Sequence, residues 1–175
     1  MNNITVDAQI FKNYFEESVL GLACCLTKSC VTIFEDYPRN HILVFDQQGM
    51  IKQEWESGID RDWFNVWFAD ALRSGKATEI DTNKCRETCK KLRTLGFPTS
   101  GRDIWYIKVA KTHNETRGQC YIISEDLDFY DPVNKLRLDA RRRILTIKSK
   151  RSPIRKYLRQ QECIEVLCVE EYLHT

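Results

Sequence analysis

The sequence predicts an α/β protein, a parallel sheet in a three-layer α/β/α sandwich, and three observations point to it. Short, near-continuous apolar runs recur at Ile4–Ala8 (ITVDA), His41–Phe45 (HILVF), Gln119–Ser124 (QCYIIS) and Ile164–Val169 (IEVLCV), the composition of strands covered on both faces. Between them lie longer stretches with apolar residues at helical spacing. No internal repeat or low-complexity linker divides the 175 residues, so one domain spanning 1–175 with a continuous core is expected. Strands alternating with helices favour a parallel sheet, because a crossover helix returns the chain to the same edge.

Taken in order, the first strand ends in an acid, Asp7, and Ile10–Thr27 follows with Ile10, Tyr14, Val19, Leu22 and Leu26 at helical intervals, with a break expected near Gly21. Tyr37-Pro38-Arg39-Asn40 reads as a turn before the HILVF strand. Asp46-Gln47-Gln48-Gly49 reads as another turn, before a helix opening at Met50. Asp62–Arg73 is amphipathic, with Trp63, Phe64, Val66, Trp67 and Ala71 expected on the core side; Asp60 caps it and Gly75 ends it. A helix over Thr82–Leu95 is expected, capped by Thr82 or Asp81 and stopped by Gly96 and Pro98. Another over Gly101–Lys111 carries Asp103 in its first turn, with Ser100 as N-cap. After the QCYIIS strand come a short strand at Ile144–Ile147, a helix from Ser152-Pro153 through Arg159, the last strand, and a terminal turn at Glu170–Leu173.

Composition excludes several classes. No apolar run approaches the roughly 20 residues that cross a bilayer, and the amino terminus lacks a signal-peptide pattern, so a cytoplasmic location without membrane contact is expected. Of the eight cysteines, Cys24, Cys25, Cys30, Cys120, Cys163 and Cys168 lie in apolar surroundings. Cys85 and Cys89 are spaced i, i+4 on an expected helix, where they could face one metal or each other. Reduced core cysteines are expected rather than a disulfide scaffold. No CxxC motif or nearby histidine completes a zinc site. Net charge is +2, but it is unevenly spread. Lys135–Arg159 holds eleven Lys/Arg against Asp139, a net +10, and leaves −8 on the remainder.

The acids are the chemical signal. Any one carboxylate after a strand is more often a helix cap than a ligand. As a set, Asp7, Asp126 and Asp128 at strand exits, Asp103 at a helix start and Glu54 after the second strand are expected to converge on the carboxyl edge of the sheet, where parallel sheets bind ligands. Unneutralised, they would repel one another and resist desolvation. A hard divalent cation, Mg²⁺ or Mn²⁺, removes that difficulty. Asp46 also ends a strand, but its place before Gln47-Gln48-Gly49 suits a turn residue. Glu125 is assigned to the surface by alternation, and His41, His113 and His174 to bystander positions.

In their order along the chain, ITVDAQIF, FDQQGMIKQEW, GRDIWYIKVA, IISEDLDF and IEVLCVEEYL resemble the acidic motifs and closing elements of PIN-like domains, across nearly the whole length. Each motif is short; their order is the specific part. The resemblance implies that Asp7, Glu54, Asp103 and Asp126 are catalytic metal ligands, Asp128 an auxiliary ligand, and Ser124 a group that orients a carboxylate or a water. Ala8-Gln9 after the first aspartate, where toxin members usually carry a small polar residue, departs from the pattern and bears on subfamily.

The activity so implied is metal-dependent hydrolysis of phosphodiesters, with single-stranded RNA favoured over DNA. Arg102, Arg141, Arg142, Arg143, Lys148, Lys150 and Arg151 are the candidate phosphate contacts, with Lys135, Arg137, Arg155, Lys156 and Arg159 adding basic surface. Of the four tryptophans, Trp63 and Trp67 lie at core spacing, and Trp55, beside Glu54, is the best placed to stack a base. A cognate antitoxin or defence-complex protein and a homodimer are the partners the family implies, in a toxin, antiviral or RNA-processing setting. The rival readings are a PIN-like scaffold without catalysis, binding nucleic acid or a partner protein, and a phospho-receiver or phosphatase. The latter would want a lysine after a late strand, and SEDLDF has none.

Overall fold

The structure, a computed structural model, describes residues 2–24, 26, 28–34, 41–82, 84–134 and 152–175. Five strands form one all-parallel sheet: β1 (Asn2–Val6), β2 (His41–Asp46), β3 (Ala77–Ile80), β4 (Cys120–Ile123) and β5 (Glu165–Leu167). Their order is β3-β2-β1-β4-β5, with Val6 opposite Ile123 and Ile123 opposite Leu167. The helices are α1 (Ala8–Ser18), α2 (Val31–Phe34), α3 (Met50–Glu56), α4 (Arg61–Arg73), α5 (Arg86–Thr94), α6 (Ile104–Thr116), α7 (Pro153–Gln161) and α8 (Val169–Leu173). The α/β class and the parallel sheet are as the sequence predicts.

The central strands are the apolar ones. Ile4, Val6, Val44, Phe45, Ile122 and Ile123 are buried, with Phe11, Ile51, Phe64, Ile107 and Val109 packed into the same core. Helix α6 crosses β1, β2, β3 and β4, and its Tyr106, Ile107, Val109 and Ala110 are inaccessible to solvent. Among the described residues no helix is long and apolar enough to cross a membrane.

Several boundaries differ from expectation, each for a local reason. Helix α1 opens at Ala8 rather than Ile10 and stops at Ser18, just before the break expected near Gly21, whose left-handed φ of 67° ends helices at little cost only for glycine. Strand β3 is absent from the sequence-based expectation, because ATEI is short and carries a glutamate; as an edge strand it buries only Ala77 and Ile80 fully. Helix α5 begins at Arg86, behind Cys85, because Asp81 and Thr82 bond instead to the Gln48 side chain, at 3.0 and 3.2 Å. In α4 the buried residues are Phe64, Phe68 and Ala71, while Val66 is 67% exposed. Apolar residues on both sides of that helix allow two phases, and packing selects the one led by phenylalanine. Asp60 caps α4 through Trp63 N–H at 2.8 Å, as expected.

Two further assignments are corrected. Glu125 is buried rather than on the surface: α8 covers it, and its Oε1 accepts from Val169 N–H at 3.3 Å. Cys163 is exposed, with a positive φ of 55°, so its surroundings are not the apolar ones expected, whereas Cys30, Cys120 and Cys168 are buried thiols. The expected strand at 144–147 and the turn at 37–40 lie outside the described residues.

Candidate functional site

In the order β3-β2-β1-β4-β5 the chain direction across the sheet reverses between β1 and β4, which makes the carboxyl ends of these two neighbours the switch point where parallel sheets form clefts. Asp7 follows β1 directly and Asp126 lies three residues beyond β4. Helix α6 precedes β4, so its amino end comes to the same edge with Asp103. One carboxylate oxygen from each of Asp7, Asp103 and Asp126 lies within 4.8 Å of the others.

Each is held differently. Asp7 is buried; its Oδ1 accepts from Gln9 N–H at 3.0 Å, capping α1, and its Oδ2 accepts from Ser124 Oγ at 2.5 Å. Ser124 Oγ accepts in turn from Asp126 N–H at 3.0 Å, so this hydroxyl couples the two strand exits. Asp126 Oδ1 accepts from Asp128 N–H at 2.8 Å, closing a one-turn 3-10 helix. Asp103 is the N-cap residue of α6, one position before the helical turn in which the sequence places it. It sits in helical geometry and its side chain makes no capping hydrogen bond. The helix dipole favours a negative charge there.

Glu54 and Asp128 lie outside this trio. Glu54 stands on α3, half-buried, and its Oε2 accepts from Tyr106 Oη at 2.9 Å. That phenol also accepts from Ala8 N–H at 3.1 Å. Tyr106 therefore ties the glutamate to the residue after Asp7. Sequence reasoning does not single it out, although it lies three positions after Asp103 and so on the same helical face. Asp128 is buried. Asp46 takes the turn role: its Oδ2 and Oδ1 accept from Met50 and Ile51 N–H, both at 2.8 Å, while Gly49 supplies the left-handed turn with φ 76°.

The electrostatics follow from this crowding. Burial pushes the Asp7 carboxyl up to about 6, with Asp126 and Glu54 adding to the rise and Ser124 and Gln9 opposing it. Burial likewise raises Glu54, aided by Asp103 and Asp126 and opposed by Tyr106 and by Arg102. Arg102 is exposed beside the cluster. Burial keeps Tyr106 protonated far into the alkaline range, as a donor to Glu54 requires.

No family model, curated protein or solved structure matches this chain. The site therefore stands on its own geometry.

Trp55 is not in a groove. It is 1% exposed, stacked on Phe11 at 5.5 Å, with its indole N–H donating to Val6 O at 2.8 Å. Trp63 and Trp67 pack against the core, while Trp105 is half-buried under Lys108 Nζ at 3.6 Å from the ring centre. Arg155 does not add to the basic surface expected from the sequence: it is buried, donates to Glu171 Oε2 at 2.9 Å and covers the Tyr130 ring. Arg159 pairs with Glu165 at 2.9 Å. Lys135, Arg137, Arg141, Arg142, Arg143, Lys148, Lys150 and Arg151 lie outside the described residues. His41 sits at the amino end of β2, away from the acids, and His113 Nδ1 is bonded to Gly118 O at 2.7 Å.

The donor set suits a hard cation. Octahedral Mg²⁺ with bonds of ~2.1 Å needs oxygens ~3–4 Å apart, within small adjustments of the observed cluster. Tyr106→Phe tests how Glu54 is positioned. It removes one donor from the carboxylate and one acceptor from α1, so Mn²⁺ affinity measured by calorimetry is expected to fall about tenfold.

Proposed function

We propose that this protein is a divalent-metal-dependent endonuclease of the PIN-like type, cutting single-stranded RNA. The observation that carries the reading is the convergence of Asp7, Asp103 and Asp126 at the β1–β4 switch point, with Glu54 held beside them through Tyr106. The sheet order 3-2-1-4-5 is compatible with the PIN-like fold, and the ordered motifs resemble that family.

In this reading Asp7, Asp103 and Asp126 hold Mg²⁺ or Mn²⁺, with Glu54 contributing directly or through water and Asp128 supporting Asp126. A bound ion of this kind supplies Lewis-acid activation of water and neutralises charge on a phosphodiester. The chain supplies the placement. Ser124 fixes the rotamer of Asp7, the Asp128 amide fixes that of Asp126, and the Tyr106 hydroxyl takes Glu54 Oε2. Arg102, exposed at the rim, offers a bidentate contact to a phosphate oxygen pair. The basic sequence 135–151, with eight Lys/Arg against Asp139, would draw a polyanion towards a pocket that would otherwise repel it. An antitoxin, a defence-complex protein or a second copy of the chain are the protein partners consistent with this reading.

The test is cleavage of a labelled single-stranded RNA with Mn²⁺ or Mg²⁺. Activity is expected to vanish on chelation and in Asp126→Asn, with the variant still folded by circular dichroism. Cleavage that persists in chelator would remove the proposal; RNA binding without cleavage would leave a scaffold. Neutralising Arg141, Arg142 and Arg143 together is expected to weaken RNA binding and to lower the slope of log K against log salt by about 0.7 for every phosphate no longer neutralised. An unchanged slope would assign that segment to protein docking.

A further inference from the structure

A second group of ligand-type side chains lies away from the acids, where α1 gives way to the loop before α2. Glu17 in the last turn of α1, Cys24 and Cys30 bring one carboxylate oxygen and two sulfurs within 4.8 Å of one another. We propose that Glu17, Cys24 and Cys30 form a metal site for a sulfur-preferring divalent ion of the zinc class, distinct from the all-oxygen centre at Asp7.

Described residues of the loop hold these three groups in place. Glu17 Oε2 accepts from Cys30 N–H at 2.7 Å and from Ser29 Oγ at 3.3 Å, which pins the carboxylate between the described residues of the loop. Leu26 N–H donates to Cys24 Sγ at 3.4 Å. A backbone amide aimed at a sulfur two residues earlier stabilises the thiolate form, the outer-shell contact that thiolate ligands use. The Cys24 thiol in turn donates to Lys28 O at 3.1 Å, and that proton is one of the two a metal would displace to solvent.

The surroundings argue against three unrelated side chains. Cys30 is inaccessible to solvent and Cys24 and Glu17 are half-buried. Burial raises the Cys30 thiol strongly, and Cys24 and Glu17 raise it further. A cation among them reverses each of these contributions. Two sulfurs with one carboxylate match Zn²⁺, whose bonds of ~2.3 Å to sulfur and ~2.0 Å to oxygen need donors ~3.5–3.8 Å apart. From donors within 4.8 Å of one another, a contraction of at most about an ångström meets that need. The same donors disfavour Mg²⁺ and Mn²⁺. Three protein ligands leave a fourth position for water or an exchangeable ligand. Sequence spacing alone could not indicate the site, because its third ligand comes from a helix rather than a Cys or His motif.

The experiment is a Co²⁺ titration of the reduced, chelator-treated protein of residues 1–175, followed by Zn²⁺ competition. A thiolate-to-cobalt charge-transfer band with tetrahedral visible absorption is expected to saturate at one equivalent, to bleach with stoichiometric Zn²⁺ and to resist millimolar Mg²⁺. Cys24→Ser and Glu17→Gln are each expected to weaken Zn²⁺ binding at least about tenfold. Asp7→Asn should leave the band unchanged, which separates this site from the acidic centre. No thiolate band in the wild type, or a band of full strength in both Cys24→Ser and Cys30→Ser, would overturn the proposal. Should Cys30→Ser fail to fold, the Cys24 and Glu17 variants decide it, since both positions are only half-buried.

Discussion

Asp7→Asn is expected to abolish RNA cleavage while making the metal-free protein more stable. The two effects share one cause, a buried carboxylate among other carboxylates. In the proposed reading Asp7 holds the ion, and its loss should lower activity by about a thousandfold or more, ~4 kcal/mol of barrier. The stability effect follows from the carboxyl being raised to about 6 in the folded state, against ~3.9 in an unfolded chain. A raised acid binds its proton more tightly when folded. Its stabilisation is therefore complete below about pH 4 and lost as pH rises through about 6. Above that range the charge costs the metal-free fold roughly 3 kcal/mol. Asparagine removes the charge, although it loses one acceptor among Gln9 and Ser124. A net gain of ~1–3 kcal/mol would raise Tm by about 2–12 °C for a chain of this size. Thermal melts in chelator should show the variant's advantage growing from pH 4 to pH 8, and Mg²⁺ should close the gap by stabilising only the wild type. A variant that melts below wild type at pH 8 would show that Asp7 serves the fold and not an ion.

Trp55→Ala carries the largest expected loss of stability. The side chain is buried against Phe11, Phe45 and Phe68, and its indole N–H holds Val6 O, the last carbonyl of β1. Truncation opens a cavity in this aromatic cluster and costs ~3–5 kcal/mol, a fall in Tm of about 6–20 °C at 2–4 °C per kcal/mol. Trp55→Phe keeps most of the packing but forfeits the hydrogen bond, for ~1–3 kcal/mol. Both should weaken Mn²⁺ binding, because Trp55 anchors the helix that carries Glu54 to the strand that ends at Asp7. Calorimetry on both variants checks this. An Ala variant within about 1 kcal/mol of wild type would mean that the indole is not the anchor described.

Much of the fold is legible because burial on both faces leaves a plain mark. Runs such as HILVF and QCYIIS can hardly be anything but covered strands, and acids placed directly after them fall at the carboxyl edge. β3 is not legible, since an edge strand buries one side only and ATEI carries no run. The phase of α4 escapes a sequence reading because Val66 and Phe68 are both apolar, and only their neighbours decide which one faces inwards. Trp55 illustrates a sharper limit. Its position beside Glu54 suggests a base-stacking role, yet a helix turns adjacent residues by about 100°, so one faces the cluster while the next faces the core.

The sequence by itself determined the α/β class, the two strand-exit acids Asp7 and Asp126, and the uneven division of charge, because all three depend on local pattern or composition. Only the tertiary structure decided the strand order that sets β1 beside β4, the Tyr106 bonds and the burial of Glu125 and Arg155, while the meeting of Asp103 with those acids and the Ser124 contact, expected from the sequence, take their geometry from the packing. It alone brought Glu17 to Cys24 and Cys30. Each of these is a contact between side chains whose separation is fixed by how elements pack, and packing is a property of the whole chain.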